Sequence, residues 1–190
     1  KKTALNCLES IEKKCFDGKN VYHYFDPAKK KAFHSSNLAD YAALALCFID
    51  AFNHSLEKKY IDSAIKIFEL IEEKFAAPDF GYFDIAEEKG IGLLALRAKP
   101  LKQNAQMAEL LQKIHLIKKD EKFLKKAEKI IAGMLPQAKK FGLNSACLAQ
   151  AAIMLETGII EAKIFGTRGE NAGDFLQKIL RNDFGNLLIE

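Results

Sequence analysis

Residues 58–75 read KKYIDSAIKIFELIEEKF, and residues 121–138 read EKFLKKAEKIIAGMLPQA. Lys59-Tyr60-Ile61 falls on Lys122-Phe123-Leu124, and Ala64, Ile67, Phe68 and Ile71 fall on Ala127, Ile130, Ile131 and Met134, at a constant offset of 63. Apolar residues at i, i+3, i+4 and i+7 form one face of a helix. The same offset carries Ala42 and Ala45 onto Ala105 and Ala108, so each unit reads as two helices, the first opening on small residues. A partial third copy stands in front, where Ala4, Cys7, Leu8 and Ile11 match Ala64, Ile67, Phe68 and Ile71 at offset 60 without the first helix of the pair.

This repeat predicts helices at about 2–15, 36–53, 57–76, 102–117, 121–135 and 142–157, each to within a few residues. Ser35, Ser36 or Asn37 can cap the second helix, and Asn144 or Ser145 the last. Two strand-like hairpins are expected where one unit passes to the next. Val21 to Phe25 returns through Lys31 to Phe33 around an Asp26-Pro27-Ala28-Lys29 turn, and Tyr82 to Ile85 returns through Leu93 to Leu96. After Gly158 the period changes to a strand over Ile159 to Phe165, a Gly-containing loop, a helix near 171–182 and a strand over Asn186 to Ile189. A crossover of that length joins parallel strands. The expected organisation is thus residues 1–157 as helical hairpins and residues 158–190 as a β-α-β appendage packed on the same domain. The loop Gly166 to Gly173 precedes a helix but lacks both the P-loop and the G-x-G-x-x-G pattern, so a plain turn is its default reading.

The chain has 190 residues, 49% of them apolar and 28% charged, enough for a real core. The apolar run Tyr41 to Ile49 is less than half of the roughly 20 residues a membrane span needs, and no membrane partner is expected. The net charge is +4, and Arg97, Arg168 and Arg181 are the only arginines. Lysine-rich faces interleaved with glutamate are solvated helix surfaces, so no nucleic-acid partner is expected. Cys7, Cys15, Cys47 and Cys147 have no pair spacing; with neighbours such as Leu44, Leu46 and Phe48 they read as buried small hydrophobes in a reducing cytoplasm. Neither they nor His23, His34, His54 and His115 show metal-ligand spacing, so no metal or cofactor is expected.

Hairpin repeats bury their apolar faces by stacking, into an open solenoid or a closed ring of inner and outer helices. Long aromatic loops after each second helix favour the ring, because such loops can wall a cavity at one end. Two and a half copies do not close a ring. The expected fold is therefore mainly α, a partial α/α toroid with small β-hairpins, whose open flank exposes apolar surface until the missing N-terminal half of the toroid, or a second copy in a homo-oligomer, covers it.

Several short motifs in order add a family resemblance: Asn37-Leu38-Ala39-Asp40-Tyr41-Ala42, Lys59-Tyr60-Ile61 with Ala64, Gly81-Tyr82-Phe83-Asp84, Leu96-Arg97-Ala98-Lys99 with Asn104, and Ile164-Phe165-Gly166. Together they resemble the C-terminal half of YyaL-type proteins, which include the spermatogenesis-associated thioredoxin-like proteins. The resemblance implies a six-hairpin glycosidase-like toroid, similar to N-acylglucosamine 2-epimerases, preceded in the family by a thioredoxin-like domain. This chain departs from the family pattern at Lys99-Pro100-Leu101-Lys102-Gln103-Asn104, where an Asp-Gly-Ala, Pro-Ser-Gly-Asn-Ser stretch is shortened to keep only the Asn.

Candidate site residues cluster at the hairpin ends. Asp40 opens an inner-type helix, where a carboxylate either serves acid/base chemistry or simply favours the helix dipole. His34 lies between the first hairpin and that helix and is the candidate for proton transfer; the related epimerases use histidines on such walls. Asp84 is the only carboxylate that can be paired with Asp40 for glycosidase chemistry. Tyr24, Tyr41 and Phe83 can hold a sugar ring, Arg97 and Lys99 an anionic or polyol group, and Asn104 either binds ligand or caps its helix. Two functions follow: a carbohydrate-active isomerase, epimerase or glycosidase-like protein with a sugar ligand at the hairpin end, or a non-catalytic scaffold completed by another chain or copy.

Overall fold

The stripe that recurs in sequence is the stripe the fold buries. A computed structural model describes residues 2–86, 92, 96–158, 160–162, 175, 178–179 and 187–189. In α3 (Lys58–Phe75) the residues Ala64, Ile67, Phe68 and Ile71 are buried, and in α5 (Glu121–Phe141) so are Ala127, Ile130, Ile131 and Met134. Each packs on the helix that precedes it, α2 (Leu38–Ser55) and α4 (Leu101–Lys118). These preceding helices are buried on several sides. Ala42, Ala45, Ala105 and Ala108 lie at 0–2% exposure, which lets α2 and α4 pack side by side. α6 (Ala146–Thr157) continues that row against α4. The described helices therefore form two layers, an inner row of α2, α4 and α6 and an outer row of α1 (Lys2–Cys15), α3 and α5.

The repeat extends to the helix ends. Leu56 closes α2 and Lys119 closes α4, 63 positions apart; both adopt left-handed φ, 58° and 53°, and donate their N–H to the carbonyls of Phe52 and His115. Asn37 caps α2 by accepting from the Ala39 N–H, as expected. The last helix differs. Gly142–Ser145 forms a 3-10 turn, and Ser145 donates to the Gly142 carbonyl instead of capping α6. α5 also runs past Pro136, at which its end was expected. Pro136 and Ala132 are both exposed, so water can serve the carbonyl that lacks its helical donor, while Ala138 packs partly against the core beyond it.

Only the first hairpin is a ladder. β1 (Tyr24–Asp26) pairs antiparallel with β2 (Lys31–Phe33), matching Tyr24 to Phe33 and Asp26 to Lys31. The second segment makes single bridges, Tyr82 to Ala76 and Ile85 to Asn37, and its expected return through Leu93, Leu94 and Ala95 lies outside the described residues. Beyond α6, β3 (Ile160–Ala162) pairs in parallel with β4 (Leu187–Ile189), the hand-off a β-α-β crossover requires. Most of the helix expected near 171–182 and the whole Gly166 to Gly173 loop lie outside the described residues. No described helix is long and apolar enough to cross a membrane.

The cysteines correct the sequence reading. Cys7 and Cys47 are exposed, and Cys15 and Cys147 are half-buried. At 100° per residue, Cys47 points away from the core that its neighbours Phe48 and Leu44 enter.

The loop between α1 and β1 is tied by one carboxylate. Asp17 accepts from the N–H groups of Lys19 and Asn20 at 2.8 and 2.7 Å, from the Asn20 side chain and from the Tyr22 hydroxyl. Partial burial opposes ionisation, but these donors prevail and hold Asp17 at about 2 against a usual 3.8. A depressed folded value means that the loop's contribution is complete above pH 3.8 and is lost as pH falls through about 2. The Asp17 carboxyl carbon, followed by NMR, is expected to titrate near 2; a midpoint near 3.8 would show that the donors do not engage it.

Candidate functional site

The first hairpin and the start of α2 meet because His23 stands next to the strand that turns back. Its N–H is shared between the carbonyls of Phe33 at 3.1 Å and His34 at 2.8 Å, which fixes the backbone and aims the ring at the first turn of α2. There Nδ1 lies 3.0 Å from both carboxylate oxygens of Asp40. A carboxylate only accepts, so Nδ1–H donates and Nε2 keeps its lone pair. The imidazole is 58% exposed while the Asp40 side chain is 20% exposed, so the pair presents a base to solvent from a half-buried orienting carboxylate. Asp40 also sits in the first turn of α2, where the helix dipole favours its charge.

An aromatic platform adjoins this pair. Tyr24 is 45% exposed, stacks on Phe33 with centroids 5.5 Å apart, and lies 5.7 Å from the His34 ring. Lys29 and Lys31 both approach the Phe33 ring at 5.6 Å. His34 takes a left-handed φ of 58°, the bend by which the chain leaves β2 for the cap of α2. Tyr41, one residue after Asp40, points the other way: it is fully buried, edge-on to Phe75 at 5.1 Å, and its hydroxyl has no hydrogen-bond partner. Burial pushes that hydroxyl's pKa up.

The remaining candidates form a second cluster whose polar atoms engage backbone. Asp84 Oδ1 accepts from the N–H groups of Ile85 and Ala98 at 3.0 and 2.9 Å, and the Asp84 carbonyl accepts from Leu38 N–H at the start of α2. Arg97 donates to the carbonyls of Ile85 and Lys74 while its guanidinium lies 4.0 Å from the Phe83 ring centroid. Lys99 pairs with Asp79 and lies 4.0 Å from the Phe80 centroid. Asn104 is fully buried; Oδ1 accepts from Tyr82 N–H at 2.8 Å, and Nδ2 donates to the carbonyls of Tyr82 and Pro100, both at 2.9 Å. It is neither an exposed ligand group nor a cap, since Pro100 precedes α4 at the cap position.

The structure thus gathers Asp40, His34 and Tyr24 around His23, and uses Asp84, Arg97 and Asn104 to bind the 82–86 and 96–100 segments to α2 and α4. His23 was missed in the sequence. Its signal was the alternation of Val21-Tyr22-His23-Tyr24, which sends His23 to the face opposite the buried Val21. Among the described residues no group of His, Cys, Asp and Glu has metal-binding geometry.

Inner helices whose N-termini carry the connecting loops, wrapped by outer helices, define an α/α toroid of the glycosidase kind. No family model matches the chain, and no curated protein matches it. Among solved structures it is similar to a GH76 alpha-mannanase of Bacteroides thetaiotaomicron, with a TM-score of 0.58 and 16% identity over 79% of this chain and 44% of that one. It is also similar to a family 76 glycoside hydrolase from a bovine Bacteroides thetaiotaomicron strain, with a TM-score of 0.50 and 19% identity over 65% of this chain and 27% of that one. The chain therefore spans less than half the length of these two structures. At such identities the likeness establishes the six-hairpin glycosidase fold and nothing finer.

Proposed function

We propose that this chain binds a sugar-type ligand at the hairpin end of the toroid, with Tyr24 as stacking platform and the His23–Asp40 pair as proton-transfer group. The observation that carries the reading is the exposed imidazole held by Asp40 through both oxygens beside an exposed, pre-stacked tyrosine. A pyranose ring offers C–H faces to an aromatic and hydroxyls to an imidazole, so the two groups suit one ligand. The glycosidase fold of the neighbours and the resemblance to YyaL-type proteins favour the same ligand class. His34 and Asp40 remain in this reading, His34 as a wall of the platform and Asp40 as the orienting carboxylate. Proton transfer at a hydroxyl-bearing carbon, as in sugar isomerisation or epimerisation, fits a single exposed base better than it fits paired-carboxylate hydrolysis, because the Asp84 carboxylate is engaged by Ile85 and Ala98.

The test is titration calorimetry against mannose oligosaccharides and N-acetylated hexosamines, followed by solvent-deuterium exchange into whichever sugar binds. Tyr24→Ala is expected to weaken binding at least tenfold, about 1.4 kcal/mol. His23→Gln is expected to change affinity less than threefold while abolishing exchange. Binding that survives Tyr24→Ala unchanged, or no binding by any sugar, overturns the proposal.

A further inference from the structure

The two ends of the helical arc differ in kind. Each complete hairpin runs from inner to outer helix, α2 to α3 and α4 to α5. α1 is an outer helix with no inner helix before it among the described residues, and α6 an inner helix with no outer helix after it. The repeat identifies what α1 and α2 lack. The α1 positions matching the buried face of α3 are open: Ala4 and Cys7 are exposed and Ile11 is 44% exposed. On α2, Cys47 and Asp50 are exposed, yet 63 positions later Leu110 and Lys113 lie at 0% and 5%, with Lys113 reaching Asp50 of α2 at 3.8 Å. The same repeat positions are covered on α4 by an inner helix and bare on α2. A groove of about 570 Å³ marks the place, with Ala4, Cys7, Leu8 and Ile11 on one wall and Cys47 and Ala51 on the other.

α6 presents what such a groove takes. Ala146, Ala149 and Ile153 form an exposed stripe of small and apolar residues at i, i+3 and i+7, with Ile153 61% exposed. We propose that two copies of this chain close a six-hairpin ring about a two-fold axis, α6 of each copy seated in the α1–α2 groove of the other. Three inner and three outer helices per copy supply half of six hairpins, and α6 with the partner's α1 forms the hairpin that neither copy holds alone. Half a ring per copy is the rotation a two-fold axis closes. The 44% share of the GH76 mannanase chain that this chain spans fits half of such a toroid. The existing α2–α4 contact is continued across the new boundary, so no new packing mode is required.

The experiment combines sedimentation velocity with thiol mapping. The protein is expected at twice 21.3 kDa, and Ile153→Glu or Ala149→Arg at the single mass with helical circular dichroism unchanged. Cys7 and Cys47 are expected to react with maleimide at least tenfold faster in those variants than in the dimer. Ile153→Cys, oxidised, is expected to link to Cys7 or Cys47 of the other copy. A monomer at every concentration overturns the ring, whether the groove thiols react fast, as when nothing covers them, or slowly, as when additional chain does. A dimer linked Cys7 to Cys7 or Cys47 to Cys47 also overturns it, because the grooves then face each other.

Discussion

Asn104→Ala is expected to lower the unfolding free energy by about 2–4 kcal/mol, one of the two largest single-residue effects expected in this chain. The side chain is fully buried and makes three hydrogen bonds, two of them a reciprocal pair with the N–H and C=O of Tyr82. Alanine removes the partners and leaves the Tyr82 peptide groups in place, and Tyr82 is itself at 0% exposure. An orphaned buried peptide group costs more than the bond was worth on balance, because water cannot reach it. Asn104→Asp is expected to be at least as damaging although it keeps the volume. An aspartate still accepts from Tyr82 N–H, but it turns negative charge toward the carbonyls of Tyr82 and Pro100, where the amide donated. Urea unfolding with fluorescence and circular dichroism measures both variants. A loss below about 1 kcal/mol for alanine would mean that the 82–86 segment is not anchored through Asn104.

The anchor also explains how the layers are held at the hairpin end. Tyr82 bridges Ala76 at the end of α3, Asn104 in the first turn of α4 grips Tyr82, and Asp84 passes a hydrogen bond on to Leu38 at the start of α2. Below it, the Tyr82 hydroxyl binds Glu72 of α3, and Glu72 pairs with Lys126 of α5. Burial first, and then the Glu72 charge, push the Tyr82 pKa well above its usual value, so the phenol stays a donor across the working pH range. The consequence for the candidate site is positional. Asp40 stands two residues beyond Leu38, so the stitching that begins at Asn104 ends by setting the register of the carboxylate that orients His23.

What the sequence disclosed divides along the same line. Helix pairing was legible because a period of 3.6 is a local property: the buried stripes of α3 and α5 were named residue for residue from their offset, as were the small residues of α2 and α4. The parallel tail pair was legible from chain length alone. The second hairpin was not, because its order comes from side chains bonding to distant backbone, Asp84 to Ala98 and Asn104 to Tyr82, and no local pattern announces such bonds. The cysteines were misread for a related reason. Neighbours in sequence on a helix are 100° apart, so Leu46 and Phe48 say little about where Cys47 points; the positions at i+4 and i+7 do, and Ala51 aside they are Asp50 and His54, which line the groove. The His23–Asp40 contact needs both the β1–β2 register and the entry into α2, and the sequence supplied Asp40 alone.

Gly81→Ala is expected to cost about 3 kcal/mol, and the cost is expected to depend on Asn104. Gly81 has φ of 67°, where an alanine Cβ is strained by roughly 1–2 kcal/mol. A Cβ there would also stand 2.4 Å from Asn104 Oδ1 and 3.3 Å from its Cγ. A loose surface side chain would swing aside, but this one is tied to Tyr82 twice and to Pro100 once, so it can yield only by breaking those bonds. The two penalties have different fates in a double-mutant cycle. In the Asn104→Ala background the obstacle is gone, and Gly81→Ala retains only its backbone strain, leaving a coupling of about 2 kcal/mol between the sites. Urea midpoints of the wild type, the two single variants and the double variant give that coupling directly. Additive costs would show that the Gly81 turn relieves the contact by shifting its own backbone, and that the close approach of Gly81 to Asn104 is not what confines this position to glycine.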